Sequence, residues 1–212
     1  MLEDKLKEAN NLDDYSYNLG AGIPEDMLGV YLHEVQPKSE DQEEVKKLLT
    51  ELQEKKFNTL LLIGDTGTGK TYMSQALANT IIHNASAPEN AARYTTHFEL
   101  DLKLKSTMNG SYTGLSEYEL INRYKAYGLL IIDEFGRGSV SEYSMTKVEH
   151  ILTERMMKGK RTIIISNKKP GELRQVFDRQ MQDRLGIMEG GATKNGKAKF
   201  YFMSGQSLRG RL

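Results

Sequence analysis

The sequence has no cysteine, no tryptophan, only four prolines and no long hydrophobic run among its 212 residues. The absence of cysteine excludes disulfide bonds, cysteine-ligated zinc and thiol catalysis. The longest apolar stretches, such as residues 129–132, are far shorter than the roughly 20 residues that a transmembrane helix needs. The first ten residues, MLEDKLKEAN, are charged throughout and lack the apolar core of a signal peptide. We therefore expect a cytoplasmic protein that does not enter a membrane.

The composition is typical of a single globular domain, with 38% hydrophobic and 27% charged residues. The formal net charge is zero, but acidic residues concentrate before residue 57 and basic residues after residue 159. A basic C-terminal part can attract phosphate or nucleic acid. The two ends can equally well neutralise each other, within one chain or between neighbouring subunits, so the charge pattern leaves both interpretations open.

Short apolar segments alternate with helical patterns along the chain. Strands are predicted at residues 58–63, 94–98, 129–132, 162–165 and 200–203. Helices are predicted at residues 70–83, 102–108, 116–127, 141–158 and 172–185. Ser39 opens a further helix, with Gln42 completing a capping-box pattern, and polar residues 11–22 predict a loop. Strands that are apolar on both faces and alternate with helices indicate an α/β fold with a parallel sheet covered on both sides.

A glycine-rich segment, GDTGTGKT, follows the first of these strands and leads into a helix. It matches the phosphate-binding pattern G-x-x-x-x-G-K-[ST], in which glycines let backbone N–H groups surround a phosphate at a helix N-terminus. Lys70 can reach the β- and γ-phosphates, and the Thr71 hydroxyl can bind Mg²⁺. We therefore predict that the ATP site is formed by Gly64, Asp65, Thr66, Gly67, Thr68, Gly69, Lys70 and Thr71.

Polar residues follow two further strands of the predicted sheet. Asp133 and Glu134 come directly after residues 129–132, and Asn167 comes after the strand at 162–165. Parallel strands bring their carboxyl ends to one edge of the sheet, beside the phosphate loop. We expect Asp133 to hold Mg²⁺ through water, Glu134 to orient and deprotonate the attacking water, and Asn167 to contact the γ-phosphate or that water.

These motifs resemble those of AAA+ ATPases, and within them those of DnaC/DnaI-type replicative helicase loaders and IstB-type transposition ATPases. The resemblance extends over residues 20–212, from Ala-Gly-Ile-Pro at 21–24 to Ser-Leu-Arg at 207–209. It implies a P-loop AAA+ fold of three α/β/α layers around a parallel sheet, and ATP hydrolysis with Mg²⁺. It also implies that Asn167 is the sensor-1 residue. Arg184 would act as an arginine finger on the ATP of a neighbouring subunit in a homo-oligomer, and Arg209, or Arg211 in its place, would contact phosphates in its own subunit.

The same families carry a helical element before the Asp-Glu strand that holds single-stranded DNA. In this chain it maps to residues 101–127, where tyrosines are interleaved with cations. The cations are Lys103, Lys105, Arg123 and Lys125, and the tyrosines are Tyr112, Tyr118, Tyr124 and Tyr127. Cations can follow a phosphate backbone and aromatic rings can stack on bases. The resemblance thus implies DNA contacts from Lys103, Lys105 and Tyr118, and the alternative is a solvated helical face with the tyrosines packed inward.

Helicase loaders of this type usually carry a separate N-terminal domain that binds the helicase, in some cases around zinc. Here only residues 1–20 precede Ala21-Gly22-Ile23-Pro24, and no cysteine is present. We expect residues 1–20 to be a short partner-binding segment and residues 21–212 to be the ATPase domain. Such a short form would suit a phage or mobile-element protein.

The sequence favours an ATP-dependent helicase loader that binds single-stranded DNA, hydrolyses ATP at subunit interfaces and acts with a replicative DNA helicase. One alternative is an IstB-type transposition helper that binds duplex DNA, and the DNA preference separates the two. A small P-loop metabolite kinase is a weaker alternative, because Glu134 after Asp133 and Asn167 after the next strand suit hydrolysis better than transfer to a metabolite.

Overall fold

The computed structural model describes residues 12–107, 114–138, 141–187 and 196–204. Within them, five strands form one sheet in the order β2-β3-β4-β1-β5, and every neighbouring pair is parallel. The strands are β1 (Thr59–Gly64), β2 (Ala92–Thr96), β3 (Leu129–Asp133), β4 (Arg161–Ser166) and β5 (Ala198–Met203). The predicted α/β fold with a central parallel sheet is confirmed.

Helices cover both faces of this sheet. They are α1 (Leu12–Gly20), α2 (Glu40–Gln53), α3 (Lys70–His83), α4 (His97–Ser106), α5 (Glu117–Ala126), α6 (Glu142–Met157), α7 (Pro170–Leu173) and α8 (Arg179–Leu185). Two 3₁₀ turns lie at Glu25–Met27 and Pro88–Asn90. Because successive strand residues point to opposite faces, Leu60 and Leu62 enter one hydrophobic cluster while Leu61 and Ile63 enter the other.

The strand register brings the predicted functional residues to one edge of the sheet. Ile63 on β1 pairs with Ser166 on β4, and Ile132 on β3 pairs with Ile164 on β4. The phosphate loop, the residues after Asp133 and the residues after Ser166 therefore leave the sheet side by side.

The predicted loop at residues 11–22 is wrong over most of its length, because α1 occupies Leu12–Gly20. Tyr17 packs against the core and Asn18 is buried, so tertiary contacts stabilise a helix whose polar composition gave no sign of it. This helix reaches the predicted segment boundary at residue 20.

Two other boundaries differ from prediction. The second strand is Ala92–Thr96 rather than residues 94–98, because Thr96 and Glu99 form a capping box that starts α4 at His97. The helix predicted at residues 172–185 is divided into α7 and α8, since the Asp178 side chain accepts a hydrogen bond from Met181 N at 2.7 Å and begins a new helix.

Buried Arg155 joins α5, α6 and β4. The residue is 0% exposed. Its guanidinium donates to the hydroxyl of Thr162 and to the carbonyls of Tyr124, Lys125, Tyr127 and Arg161. Three of these carbonyls lie at the C-terminal end of α5, where a helix leaves its own carbonyls without partners. Arg155 thereby fixes one end of the predicted DNA-binding element.

No helix within residues 12–107, 114–138, 141–187 or 196–204 has the length and apolar character that crossing a membrane requires.

Candidate nucleotide site

The phosphate loop joins β1 to α3, with glycines where the backbone requires them. Gly64, Gly67 and Gly69 have φ angles of 140°, 86° and 98°. A Cβ atom on Gly64 would lie 2.1 Å from the carbonyl oxygen of Met203 on the adjacent strand. Gly64 is therefore needed both for its backbone conformation and for the close approach of β5.

Lys70 begins α3 and is almost completely enclosed, with 4% of its surface exposed. Its Nζ donates to the carbonyl oxygens of Gly64 and Asp65 at 2.9 and 2.6 Å and to Thr68 Oγ1 at 3.1 Å. The loop thus supplies oxygens to a buried ammonium group, and phosphate oxygens are the chemically equivalent partners.

Thr71 and Asp133 meet as predicted. The Thr71 hydroxyl donates to Asp133 Oδ2 at 2.6 Å, and the Tyr94 hydroxyl donates to the same oxygen at 3.0 Å. Burial, followed by the charge of Asp133, raises the pKa of Tyr94, so Tyr94 remains a donor. Hydroxyl and carboxylate oxygens are the ligand types that Mg²⁺ takes in proteins. Thr71 and Asp133 therefore fit a magnesium site in their chemistry, with Mg²⁺ to be held by the hydroxyl and, through water, by the carboxylate.

Glu134 lies in a turn with an unusual backbone conformation. Its φ of 51° is in the left-handed region, which residues other than glycine rarely adopt. Its N–H donates to Asp133 Oδ1 at 2.6 Å, and the next N–H, of Phe135, donates to Ile165 O at 2.8 Å. The Glu134 carboxylate forms an ion pair with exposed Arg137. These hydrogen bonds therefore hold the turn that orients the carboxylate of Glu134, the candidate base.

His97 contacts the two residues of the turn that follow Glu134. Its Nδ1 accepts a hydrogen bond from Gly136 N at 3.0 Å, and its ring stacks on Phe135 with centroids 4.2 Å apart. Phe135 stacks in turn on Phe177 at 4.7 Å. Burial lowers the pKa of His97 from 6.5 to about 4, so the ring is neutral near pH 7 and Nδ1 can accept.

One cavity of about 1290 Å³ is lined by most of the predicted nucleotide residues, and the predicted Gly64, Asp65 and Thr68 are not part of its lining. Asn167 is exposed at its edge, while the hydroxyl of neighbouring Ser166 donates to Phe135 O at 2.7 Å. Residues 34–36 and Lys38 form a further wall that the sequence did not predict. The site residues in its lining are Thr66, Gly67, Gly69, Lys70, Thr71, Asp133, Glu134 and Asn167.

The family model for the bacterial DnaA ATPase domain matches residues 35–190, most of the chain. The chain belongs to this family. The resemblance to AAA+ ATPases, and among them to helicase loaders, is thereby confirmed.

Two groups of curated relatives are replication proteins. The replicative helicase loader DnaC of Escherichia coli K12 is 24% identical over 127 residues, which make up 60% of this chain and 49% of DnaC. The chromosomal replication initiator DnaA of Chlorobaculum tepidum is 25% identical over 123 residues, or 58% of this chain and 24% of DnaA. The chain therefore spans about half the length of the helicase loader and a quarter of the initiator.

Solved structures confirm the AAA+ fold. AMPPCP-bound DnaA from Aquifex aeolicus has a TM-score of 0.66 at 20% identity, covering 83% of this chain and 50% of that chain. A DnaC helicase loader has a TM-score of 0.63 at 17% identity, covering 85% of this chain and all 100% of that chain.

Arg184, the arginine finger that the family resemblance implies, does not line the cavity of its own chain. Arg184 is exposed on α8, outside the cavity lining, and its Nη1 donates to Thr153 Oγ1 at 2.6 Å. Arg209 and Arg211 lie outside the described residues.

The residues predicted to contact DNA differ in their solvent exposure and in the partners that they already have. Tyr118 is 75% exposed, and Lys105 Nζ pairs with Asp101 Oδ2 at 2.7 Å. Burial, followed by the nearby charge of Arg93, lowers the pKa of half-buried Lys103. Tyr124 and Tyr127 are buried in the core in edge-to-face contact, so these two tyrosines pack inward, as the alternative interpretation expects. Tyr112 lies outside the described residues.

Three residues of the site were missed from the sequence: Tyr94, His97 and Gln42. Tyr94 lies on β2, which begins two residues earlier than predicted, and its hydroxyl donates to Asp133 on the neighbouring strand. His97 and Gln42 act through contacts with residues 39 and 26 positions away, and no local pattern signals such contacts.

Proposed function

We propose that this protein is an ATPase of the helicase-loader type, which binds ATP with Mg²⁺ in the cavity and hydrolyses it to ADP and phosphate. The observation that carries the proposal is the convergence of Lys70, Thr71, Asp133, Glu134 and Asn167 on one cavity. AMPPCP, an ATP analogue, is bound to DnaA in the structure of similar fold, which supports the choice of nucleotide.

The residues divide the chemistry of hydrolysis between them. Lys70 exchanges its loop oxygens for the β- and γ-phosphate oxygens. Thr71 and Asp133 would hold Mg²⁺, which neutralises the charge that develops on the phosphates. Water attacks the γ-phosphorus, the bond from the bridging oxygen to that phosphorus breaks, and Glu134 accepts the proton of the water. Asn167 donates its side-chain amide to the γ-phosphate.

Glu134 must leave Arg137 before it can act as a base. Arg137 is exposed and lies between Gly136 and Gly138, both with φ of 77°, and these two glycines let the segment move. The ion pair costs little to open, because exposed pairs contribute roughly 0–1 kcal/mol.

The test of hydrolysis is phosphate release with ATP and Mg²⁺. Glu134→Gln should bind nucleotide normally and lower kcat by a factor of about 10²–10⁴, because it removes the base. Lys70→Ala should lose nucleotide binding itself. Glu142→Gln, at an exposed residue on α6, is the matched control and should retain wild-type activity. A Glu134→Gln variant as active as the control would contradict the assignment.

We assign Arg184 to the ATP of a neighbouring subunit in a homo-oligomer. Its exposed position outside the cavity of its own chain supports this assignment. An arginine supplied in this way accelerates hydrolysis by a factor of about 10³–10⁵ in other NTPases. Arg184→Ala should therefore abolish the concentration-dependent part of the ATPase rate. Mixing Arg184→Ala with Glu134→Gln should restore activity, since mixed interfaces contain one intact base and one intact arginine.

Single-stranded DNA is the proposed nucleic-acid ligand, contacted by Lys103, Lys105 and Tyr118. The test measures binding to labelled single-stranded and duplex DNA, with and without ATP and Mg²⁺, at several salt concentrations, because phosphate contacts weaken steeply with salt. Preference for single strands supports a helicase loader. Preference for duplex indicates an IstB-type transposition helper, and transfer of phosphate to a metabolite without DNA binding would indicate a kinase.

The proposed protein partner is a replicative DNA helicase, and residues 1–20 are the proposed contact. DnaC, a curated relative, is a replicative helicase loader. Because α1 packs against the core from Tyr17 onward, the test deletes only residues 1–11. The deletion should abolish co-purification with the helicase and leave ATP hydrolysis unchanged.

A further inference from the structure

The side chain of Gln42 makes bonds that its local sequence does not predict. Ser39 begins α2 by accepting from Gln42 N at 3.3 Å, which is half of a capping box. The Gln42 side chain, however, does not turn back to Ser39. Its Oε1 accepts from Lys38 N at 2.8 Å and its Nε2 donates to Thr68 O at 2.9 Å. The residue is 6% exposed, so both bonds are shielded from water.

The bond to Thr68 fixes the direction of one peptide of the phosphate loop. In a trans peptide, the carbonyl and the following N–H point in opposite directions. Because the Thr68 carbonyl points to Gln42, the N–H of Gly69 points away from α2. Gly69 has a φ of 98°, and a Cβ on it would lie 3.0 Å from Gln42 Nε2. The loop and the glutamine thus fit against each other closely.

The bond to Lys38 anchors a second wall of the cavity. Glu34, Val35, Gln36 and Lys38 line the cavity on the side of α2. One buried amide therefore connects this wall to the phosphate loop. Only a side chain with a donor and an acceptor can make both bonds, which excludes a carboxylate or an apolar residue of the same size.

We propose that Gln42 is a positioning residue for the nucleotide, because it orients the Thr68–Gly69 peptide toward the phosphates and holds the 34–38 wall against the loop. This inference rests on the proposed function, in which the cavity binds ATP. Gln42 acts through Thr68 and Lys38 and is not itself a catalytic residue.

The experiment compares ADP and ATP binding by calorimetry in the wild type, Gln42→Glu and Gln42→Met. Both variants keep the length of the side chain and lose the donor to Thr68. We expect ADP affinity to fall at least tenfold in each, and KM for ATP to rise by a similar factor while kcat changes less than threefold. Glu43→Met, at the exposed next residue of α2, is the matched control and should bind as the wild type does.

Inorganic tripolyphosphate separates the phosphate loop from the rest of the site. It has neither base nor sugar, so its affinity should fall by the same factor as that of ADP if Gln42 acts through the Thr68–Gly69 peptide. The proposal is overturned if both variants bind tripolyphosphate as tightly as the wild type does and also bind ADP as tightly as the wild type does.

A measurement on the wild type does not depend on how well the variants fold. The Lys38 amide, which donates to Gln42, should exchange with deuterium at least tenfold more slowly when ADP is bound. An unchanged rate would overturn the proposal. Wild-type protein that binds no nucleotide would refute the proposed function as well, whereas normal wild-type binding with unaffected variants refutes the role of Gln42 alone.

Discussion

Buried His97 should make the stability of this protein depend on pH. Its Nδ1 already accepts from Gly136 N, so a proton added there would replace an acceptor with a second donor. Burial adds to this cost, and the pKa of His97 falls from 6.5 to about 4 in the folded chain. Between pH 6.5 and about pH 4, His97 of the unfolded chain binds a proton that His97 of the folded chain does not bind. Stability therefore falls as the pH is lowered through this window.

The size of the effect follows from the two pKa values. At pH 7 neither state binds a significant proton at His97, and the contribution is close to zero. At pH 5 the unfolded state is almost fully protonated and the folded state is not, which costs about 2 kcal/mol. Well below pH 4 both states are protonated, and the cost levels off at about 3.4 kcal/mol, the full shift of about 2.5 units.

The assay is urea unfolding of the wild type and His97→Asn at pH 7 and at pH 5. Asparagine retains an oxygen near the position of Nδ1, so it can accept from Gly136, and it does not titrate. The free-energy difference between wild type and variant should change by about 2 kcal/mol between the two pH values. Other groups that titrate cancel in this difference. His33→Asn, at an exposed histidine, is the control for the same substitution outside the core.

An equal free-energy difference between wild type and His97→Asn at both pH values would contradict a neutral, buried His97. NMR titration of the wild-type His97 ring provides an independent check that requires no variant. A ring that gains its proton near pH 6.5 in the folded protein would refute the effect of burial and of the Gly136 contact.

Three further predictions concern buried contacts. Arg155→Lys should lower the free energy of unfolding by about 3 kcal/mol in urea titrations, because lysine leaves several buried carbonyl oxygens without a donor. A loss below about 1 kcal/mol would show that water replaces the guanidinium. Leu61→Ala should also cost about 3 kcal/mol, since the side chain is fully buried on β1, and an unchanged midpoint would contradict its burial. Tyr94→Phe should weaken magnesium-dependent nucleotide binding about fivefold, because it removes a hydrogen bond of about 1 kcal/mol to Asp133. Tyr118→Phe, at an exposed tyrosine, is the control and should leave this binding unchanged. Equal effects in both variants would argue against Tyr94 as a support for Asp133.

The sheet and the motifs were predictable because their signals are local. The apolar runs that became β1, β3 and β4 have no alternation, and this pattern is typical of strands buried on both faces. The sequence placed Lys70 at the start of a helix and Asp133 at the end of a strand, and the structure has both there. The functional residue types and the elements that carry them are thus encoded within short stretches of chain.

The residues that the prediction missed depend on contacts between distant stretches. The α1 helix is polar in sequence and is stabilised by packing around Tyr17. Gln42 has the sequence position of a capping residue, yet its bond to Thr68 spans 26 residues and replaces the local bond. Tyr124 and Tyr127 alternate with cations in sequence, but Tyr124 lies on the buried side of α5 and Tyr127 is buried directly after the helix ends.

The turn at Glu134 depends on contacts that its local sequence does not encode. The Asp-Glu pair after an apolar strand identifies the candidate base, but a left-handed φ costs roughly 1–2 kcal/mol and would not persist in an isolated peptide. It persists here because Ile165, Ser166 and His97 bind the next two residues of the turn through hydrogen bonds to Phe135 and Gly136. The direction of the carboxylate is therefore a property of β4 and α4 as much as of β3. Changes at His97 or Ser166 should therefore alter kcat through Glu134, because both residues hold the turn that carries its carboxylate.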